Sequence, residues 1–125
     1  MLINIKKLND NAILPTRGSD YAAGWDLYAN IEKEIELAPG EMKKIPSGLS
    51  LELPEHTFAG VFARSGLSTK KGLRPANCVG VVDEDYRGEV IVPLYNDSIN
   101  FVTIVTNERI AQLIIFPYIE CEFKE

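Results

Sequence analysis

Gly80-Val-Val-Asp-Glu-Asp-Tyr-Arg-Gly88 runs directly into Glu89-Val-Ile-Val-Pro-Leu-Tyr95. A short apolar run, an acidic turn closed by glycine and a second apolar run read as two strands joined by a tight connection. Working outward, the same grammar recurs. Pro15, Gly18, Gly24, Pro39-Gly40, Pro46, Gly48, Pro54, Gly72, Pro75, Asn96-Asp97 and Asn107 punctuate the chain about every ten residues. Between them lie candidate strands at Leu2–Ile5, Leu49–Leu53, Thr57–Ala63, Cys78–Val82, Glu89–Tyr95, Phe101–Thr106, Ile110–Phe116 and Ile119–Phe123. Many short strands at regular spacing predict an all-β sandwich or barrel. Val90–Tyr95 and Ile110–Phe116 are apolar at nearly every position, a pattern of strands covered on both faces, which points to subunit contact. Pro93 implies an edge or a bulge. One segment breaks the pattern. Ser65-Gly-Leu-Ser-Thr-Lys-Lys-Gly72 predicts a single short helix, with Ser65 as N-cap, Lys70 and Lys71 at the negative end, and Gly72 as terminator.

The 125 residues show no composition break and are read as one domain, 1–125. At 46% hydrophobic the chain can build a core without disulfides or metals. Two cysteines, Cys78 and Cys121, and one histidine, His56, argue against a zinc site, and the thiols are expected to be buried. A net charge of -5 argues against nucleic acid as a partner. No run is long enough for a membrane helix, and the charged opening Met1–Asp10 lacks an apolar leader core, so a cytoplasmic location is expected.

Four segments carry candidate chemistry. Arg64-Ser65-Gly66 at the helix start reads either as a phosphate cradle or as an ordinary cap with a solvated arginine. Asp83, Glu84 and Asp85, followed by Tyr86, read either as a base or metal site or as plain turn chemistry. Gln112, inside the apolar run after Arg109, needs a hydrogen-bonding partner, either backbone or ligand. Asp26, in Ala23-Gly-Trp-Asp-Leu27, begins a strand and is weak evidence alone.

Taken in order, these segments resemble four of the five motifs of the trimeric dUTP diphosphatases, the dUTPases: Ala23–Leu27, Ala63–Leu67, Gly80–Glu89 and Glu108–Leu113. The resemblance spans essentially the whole chain. It implies a jelly-roll-like distorted β-barrel, a homotrimer with sites shared between subunits, and Mg²⁺-assisted hydrolysis of dUTP to dUMP and pyrophosphate. That reaction lowers dUTP and supplies dUMP for dTMP synthesis. By position, Asp83 corresponds to the aspartate that activates water for attack on the α-phosphorus. Arg64, Ser65, Gly66 and Gln112 correspond to phosphate contacts, and Asp26 to a carboxylate reaching the metal through water. Asn77-Cys-Val-Gly-Val-Val-Asp83 corresponds to the uracil-binding hairpin, with Asn77, Gly80, Val81 and Val82 in contact with substrate. Tyr86 corresponds to the tyrosine under the deoxyribose. The family's glycine-rich fifth motif is expected beyond Phe123-Lys-Glu125, so the C-terminal arm is missing from this sequence. Trp25 and Asn107 stand where the family often has tyrosine and glycine. The alternatives are the related dCTP deaminases, which share the barrel, and a nucleotide-binding regulatory protein.

Overall fold

The computed structural model describes residues 1–125. The elements in order are β1 (Asn4–Lys7), β2 (Trp25–Tyr28), β3 (Ile35–Leu37), β4 (Met42–Glu52), β5 (Thr57–Phe62), α1 (Ser65–Lys71), β6 (Leu73–Pro75), β7 (Val79–Val82), β8 (Glu89–Asn96), β9 (Val102–Ile104) and β10 (Arg109–Pro117). One four-stranded sheet has the order β1-β4-β8-β6 and a second β2-β10-β5-β7, with β3 and β9 forming a small ribbon. Every pairing is antiparallel. The inner faces of the two main sheets share one cluster of 20 buried apolar residues, including Leu27, Ile45, Leu49, Val92, Leu94 and Ile110. This is the all-β architecture expected from the spacing of turn signals and apolar runs, in the jelly-roll-like form that the family resemblance implies. No helix is long and apolar enough to cross a membrane.

Strand β8 shows how the pattern works. Val90, Val92, Leu94 and Asn96 point inward, while Glu89, Ile91, Pro93 and Tyr95 point away. Its outward face is left uncovered by the chain itself, with Ile91 exposed. Buried Asn96 donates through Nδ2 to the carbonyls of Leu37 (3.0 Å) and Asn100 (2.7 Å). Its Oδ1 accepts from the Ser98 N–H at 3.0 Å, so the polar group is satisfied inside the core.

Several expectations need correction. The helix spans Ser65–Lys71 and ends in left-handed Gly72 (φ 70°), as expected, but Arg64 and not Ser65 occupies the N-cap. Arg64 is extended there, and no side chain caps the helix. Leu2–Ile5 pairs two residues later, as Asn4–Lys7 against Leu49–Glu52. Ile119–Phe123 forms no strand: β10 ends at Pro117 and the tail has no pairing partner, leaving Ile119 and Phe123 almost fully exposed. Cys78 and Cys121 are both exposed free thiols. Cys78 sits in a turn with positive φ, outside any packed face. Pro93 lies in an inner strand, yet at the point where β6 has ended. Its carbonyl accepts from Ala76 N–H at 2.7 Å, and its nitrogen faces the same side, where no ladder bond is lost.

Pro46 and Gly48 do not end a strand. They form an irregularity inside β4, where the register with β8 shifts between Pro46 and Ser50. Gly48 has φ +72°, and a Cβ there would lie 2.7 Å from Asn30 Oδ1 and 2.8 Å from the buried Ala12 Cβ. Strain and overpacking each cost about 1–3 kcal/mol. Gly48→Ala is therefore expected to destabilise the fold by about 2–4 kcal/mol. The measurement is a fall in the urea midpoint at constant m-value. Asn107 is likewise left-handed (φ 62°), a conformation asparagine tolerates better than most residues and glycine best.

Candidate active site

The site residues fall into two groups: one where β5 leads into α1, the other along β7 and the turn after it, with Asp83 toward the opposite end of β5. The first group gathers where β5 leaves the sheet and enters α1. Arg64 Nε donates to Asp26 Oδ1 at 2.8 Å, and Arg109 Nη1 approaches Asp26 Oδ2 at 3.6 Å. Arg64 Nη1 also reaches the Arg109 carbonyl at 3.4 Å. Asp26 is placed by β2–β10 pairing, in which Gln112 stands opposite it. Gln112 Nε2 donates to the Ala63 carbonyl at 2.8 Å, which fixes the amide against the segment leading into the helix. Gly24 has no side chain for a reason: a Cβ there would overlap the Gln112 amide. Ser65 and Gly66 are exposed, and the space beside Gly66 is open. The first N–H groups of a helix have no intrahelical partner, and none is capped by a side chain here. Two guanidinium groups and uncapped N–H groups make this end suitable for an anion.

Arg109 was not among the expected site residues. Its contact with Asp26 follows from the β2–β10 register, and its only signal in the sequence is its place three residues before Gln112.

The second group lies on the β7–β8 hairpin. Asn77, Gly80, Val81, Val82, Asp83 and Tyr86 line one cavity of about 180 Å³, together with Val61, Glu89, Val90, Ile91 and Pro93. β7 is the outer strand of its sheet, paired only with β5. Its other edge therefore presents unpaired N–H and C=O groups toward solvent or a ligand. The alternation of β7 buries Gly80 and Val82 and exposes Val79 and Val81. At its end Asp83 is exposed, and its carbonyl accepts the Tyr86 N–H at 3.1 Å to close the turn. The Tyr86 hydroxyl donates to the Glu89 carbonyl at 2.8 Å, pinning the ring over Gly88. A Cβ on Gly88 would stand 2.5 Å from that hydroxyl oxygen.

Of the three consecutive carboxylates only Glu84 turns partly inward, flanked by exposed Asp83 and Asp85. Its Oε2 accepts the Tyr118 hydroxyl at 2.5 Å and the His56 N–H at 2.8 Å. The Tyr118 hydrogen bond first, and the His56 N–H second, hold the Glu84 carboxyl below its usual range. The same bond to Glu84 pushes the Tyr118 hydroxyl up to about 12.

The β5–β7 register places Val82 opposite Ala59 and Val79 opposite Phe62, which sets Asp83 level with Phe58. Asp83 and Phe58 also line a common cavity. Arg64 is six residues further along from Phe58 (64 − 58). β5 ends at Phe62, so at the strand rise of ~3.3 Å per residue Phe58 and Phe62 are about 13 Å apart, and Arg64 lies beyond Phe62.

No group of three or more His, Cys, Asp or Glu side chains could hold a metal ion. Both Asp26 oxygens already face arginines. The residues therefore fit Mg²⁺ only as an ion carried largely by phosphate and water, with at most a water-mediated contact to Asp26.

Residues 10–125 match the dUTPase family model. The deoxyuridine 5'-triphosphate nucleotidohydrolase of Desulfitobacterium hafniense (strain DSM 10664 / DCB-2) is 46% identical over 112 residues, covering 88% of this chain and 74% of that protein. The protein of the same name from Cytophaga hutchinsonii is 43% identical over 126 residues, covering 100% of this chain and 82% of that one. Among solved structures, the dUTPase of Staphylococcus bacteriophage 80alpha with dUpNHpp superposes with a TM-score of 0.90 at 25% identity, covering 99% of this chain and 87% of that one. A dUTPase from phage phi11 of S. aureus, described with a structural Mg(II) ion, has a TM-score of 0.89 at 22% identity, covering 100% of this chain and 96% of that one, and speaks to the fold alone. On the family match over nearly its full length, with relatives at this level of identity, the chain belongs to the dUTPase family.

Proposed function

We propose that this protein hydrolyses dUTP to dUMP and pyrophosphate, with Asp83 orienting and deprotonating the water that attacks the α-phosphorus. The observation that carries the reading is the free edge of β7 ending in an exposed carboxylate and Tyr86, all on one cavity. The names of the relatives support the same substrate. Backbone N–H and C=O groups on that edge can match uracil. Cytosine would set donor against donor, a mismatch that is costly when buried. A carboxylate is intrinsically a weak base. Positioning and charge neutralisation must then supply most of the acceleration. Arg64, the helix N–H groups of Ser65 and Gly66, and Gln112 hold the triphosphate. Mg²⁺ bound to the phosphates would neutralise their charge, with Asp26 reaching it through water.

The placement of Asp83 toward the Phe58 end of β5 and of Arg64 beyond its Phe62 end, about 13 Å of strand apart, supports a site assembled from more than one copy of the chain, as in a homotrimer. The uncovered outward face of β8, with exposed Ile91, is consistent with such packing. A cytoplasmic enzyme of this kind lowers dUTP and delivers dUMP toward dTMP synthesis.

The deciding experiment incubates the protein with dUTP and dCTP in parallel and follows pyrophosphate and ammonia. Pyrophosphate from dUTP alone is expected. Ammonia from dCTP would reassign the protein to deamination, and tight binding of a dUTP analogue without pyrophosphate would reassign it to a binding role.

Tyr86 is proposed to pack under the deoxyribose and exclude a 2′-hydroxyl. Tyr86→Ala is expected to raise kcat/KM for UTP relative to dUTP by about tenfold or more, about 1.4 kcal/mol of discrimination. An unchanged ratio would rule out the steric gate.

A further inference from the structure

The acidic turn after β7 is tied to a distant part of the chain by one side chain. Glu84 Oε2 accepts two hydrogen bonds, from the Tyr118 hydroxyl at 2.5 Å and the His56 N–H at 2.8 Å. Tyr118 follows the last residue of β10, and its own N–H donates to the His56 carbonyl at 3.0 Å. His56 lies in the left-handed turn between β4 and β5 (φ 60°) and packs edge-on to the Tyr118 ring at 6.1 Å. The loop is closed on the other side by Arg87, whose Nη1 donates to the Glu84 carbonyl at 2.7 Å. Asp83, directly before Glu84, makes no side-chain hydrogen bond or ion pair of its own. Its direction is therefore set by the backbone on either side: the β7 ladder before it, and the Glu84 anchorage after it.

We infer that Glu84 and Tyr118 act together as positioning residues, holding the turn so that the Asp83 carboxylate is aimed at the reacting water. This rests on the proposed role of Asp83 in hydrolysis. Neither residue touches the reacting atoms. The consequence is a defect in the chemical step more than in binding, because the β7 edge and Tyr86 are held by other contacts. Both bonding groups keep the required protonation state at neutral pH, since the carboxyl is held low and the phenol high.

The test compares Tyr118→Phe, Glu84→Ala, Glu84→Gln and the double variant Y118F/E84A on the full chain. Small misplacement of a catalytic group is costly, so kcat for dUTP is expected to fall about tenfold in Tyr118→Phe and in Glu84→Ala, with KM within about twofold. Glu84→Gln retains an oxygen acceptor for both donors and is expected to recover most of the activity. The double variant is expected to be no worse than either single one, because both break the same link. An unchanged kcat in Tyr118→Phe, or fully additive losses in the double variant, would overturn the inference. Amide hydrogen exchange across residues 83–88 reads the restraint without substrate. Faster exchange in Tyr118→Phe is expected, and identical exchange would overturn the inference even in a protein that proved inactive on dUTP. Failure of the unaltered protein to release pyrophosphate would instead count against the proposed hydrolysis.

Discussion

Asp83→Asn is expected to lower kcat for dUTP by about 10²–10⁴-fold, the range general base catalysis contributes, while affinity for a non-hydrolysable analogue stays within about tenfold. The two shapes are nearly the same, so the turn closed by the Asp83 carbonyl and the Tyr86 N–H survives the change. What is lost is the charge and the lone pair that accept a proton from water. Asp83 is exposed at the mouth of the hairpin cavity, so the substitution strands no buried group and the protein should remain folded. Single-turnover pyrophosphate release together with analogue titration separates chemistry from binding. Wild-type turnover in this variant would remove Asp83 from the mechanism.

Arg64→Ala is expected to act mainly on binding, raising KM for dUTP on the order of a hundredfold, equivalent to about 2.7 kcal/mol. Arg64 stands at the start of the helix with its Nε bound to Asp26. Removing it strips a proposed phosphate contact and leaves Asp26, whose side chain is only 13% exposed, with the longer Arg109 contact alone. Allowing for partial solvent screening, the stability loss is expected to be about 1–2 kcal/mol, visible as a lower denaturation midpoint. Lysine is a poor replacement because it cannot hold Asp26 and present a second planar donor pair together. Unaltered KM in Arg64→Ala would place the triphosphate elsewhere.

Most of the architecture could be read from local signals. Gly72 and the two lysines before it bound the helix because a left-handed terminator and a basic last turn are local chemistry. The strands around Val61, Val92 and Leu113 were legible because a run of apolar residues between turn residues has few other uses. What escaped depended on partners. Ile119–Phe123 has the composition of a strand, but it pairs with none of the edges the sheets leave open, so pattern alone misleads. Cys78 was expected inside because thiols usually pack, yet its backbone sits in a positive-φ turn, which no composition argument reveals. Pro46 and Gly48 looked like a break, whereas β4 absorbs them as a shift in register. In the candidate site, Asp83, Tyr86, Arg64 and Gln112 could be proposed from motif order. Arg109 was not, since its pairing with Asp26 exists only once β2 and β10 are aligned. That Glu84, of three adjacent acids, is the one turned inward depends on Tyr118, 34 residues away in the chain.

Because β7 borders its sheet with one side unpaired, whatever docks along that edge meets a row of peptide groups. Selectivity of that sort is stored in alignment. Point changes at Val79 or Val81 leave the order of donors and acceptors intact. A slip of one residue along β5 would reverse which groups face outward and turn Gly80 and Val82 out of the core. Such an edge can drift in side-chain composition while keeping its order of donors and acceptors.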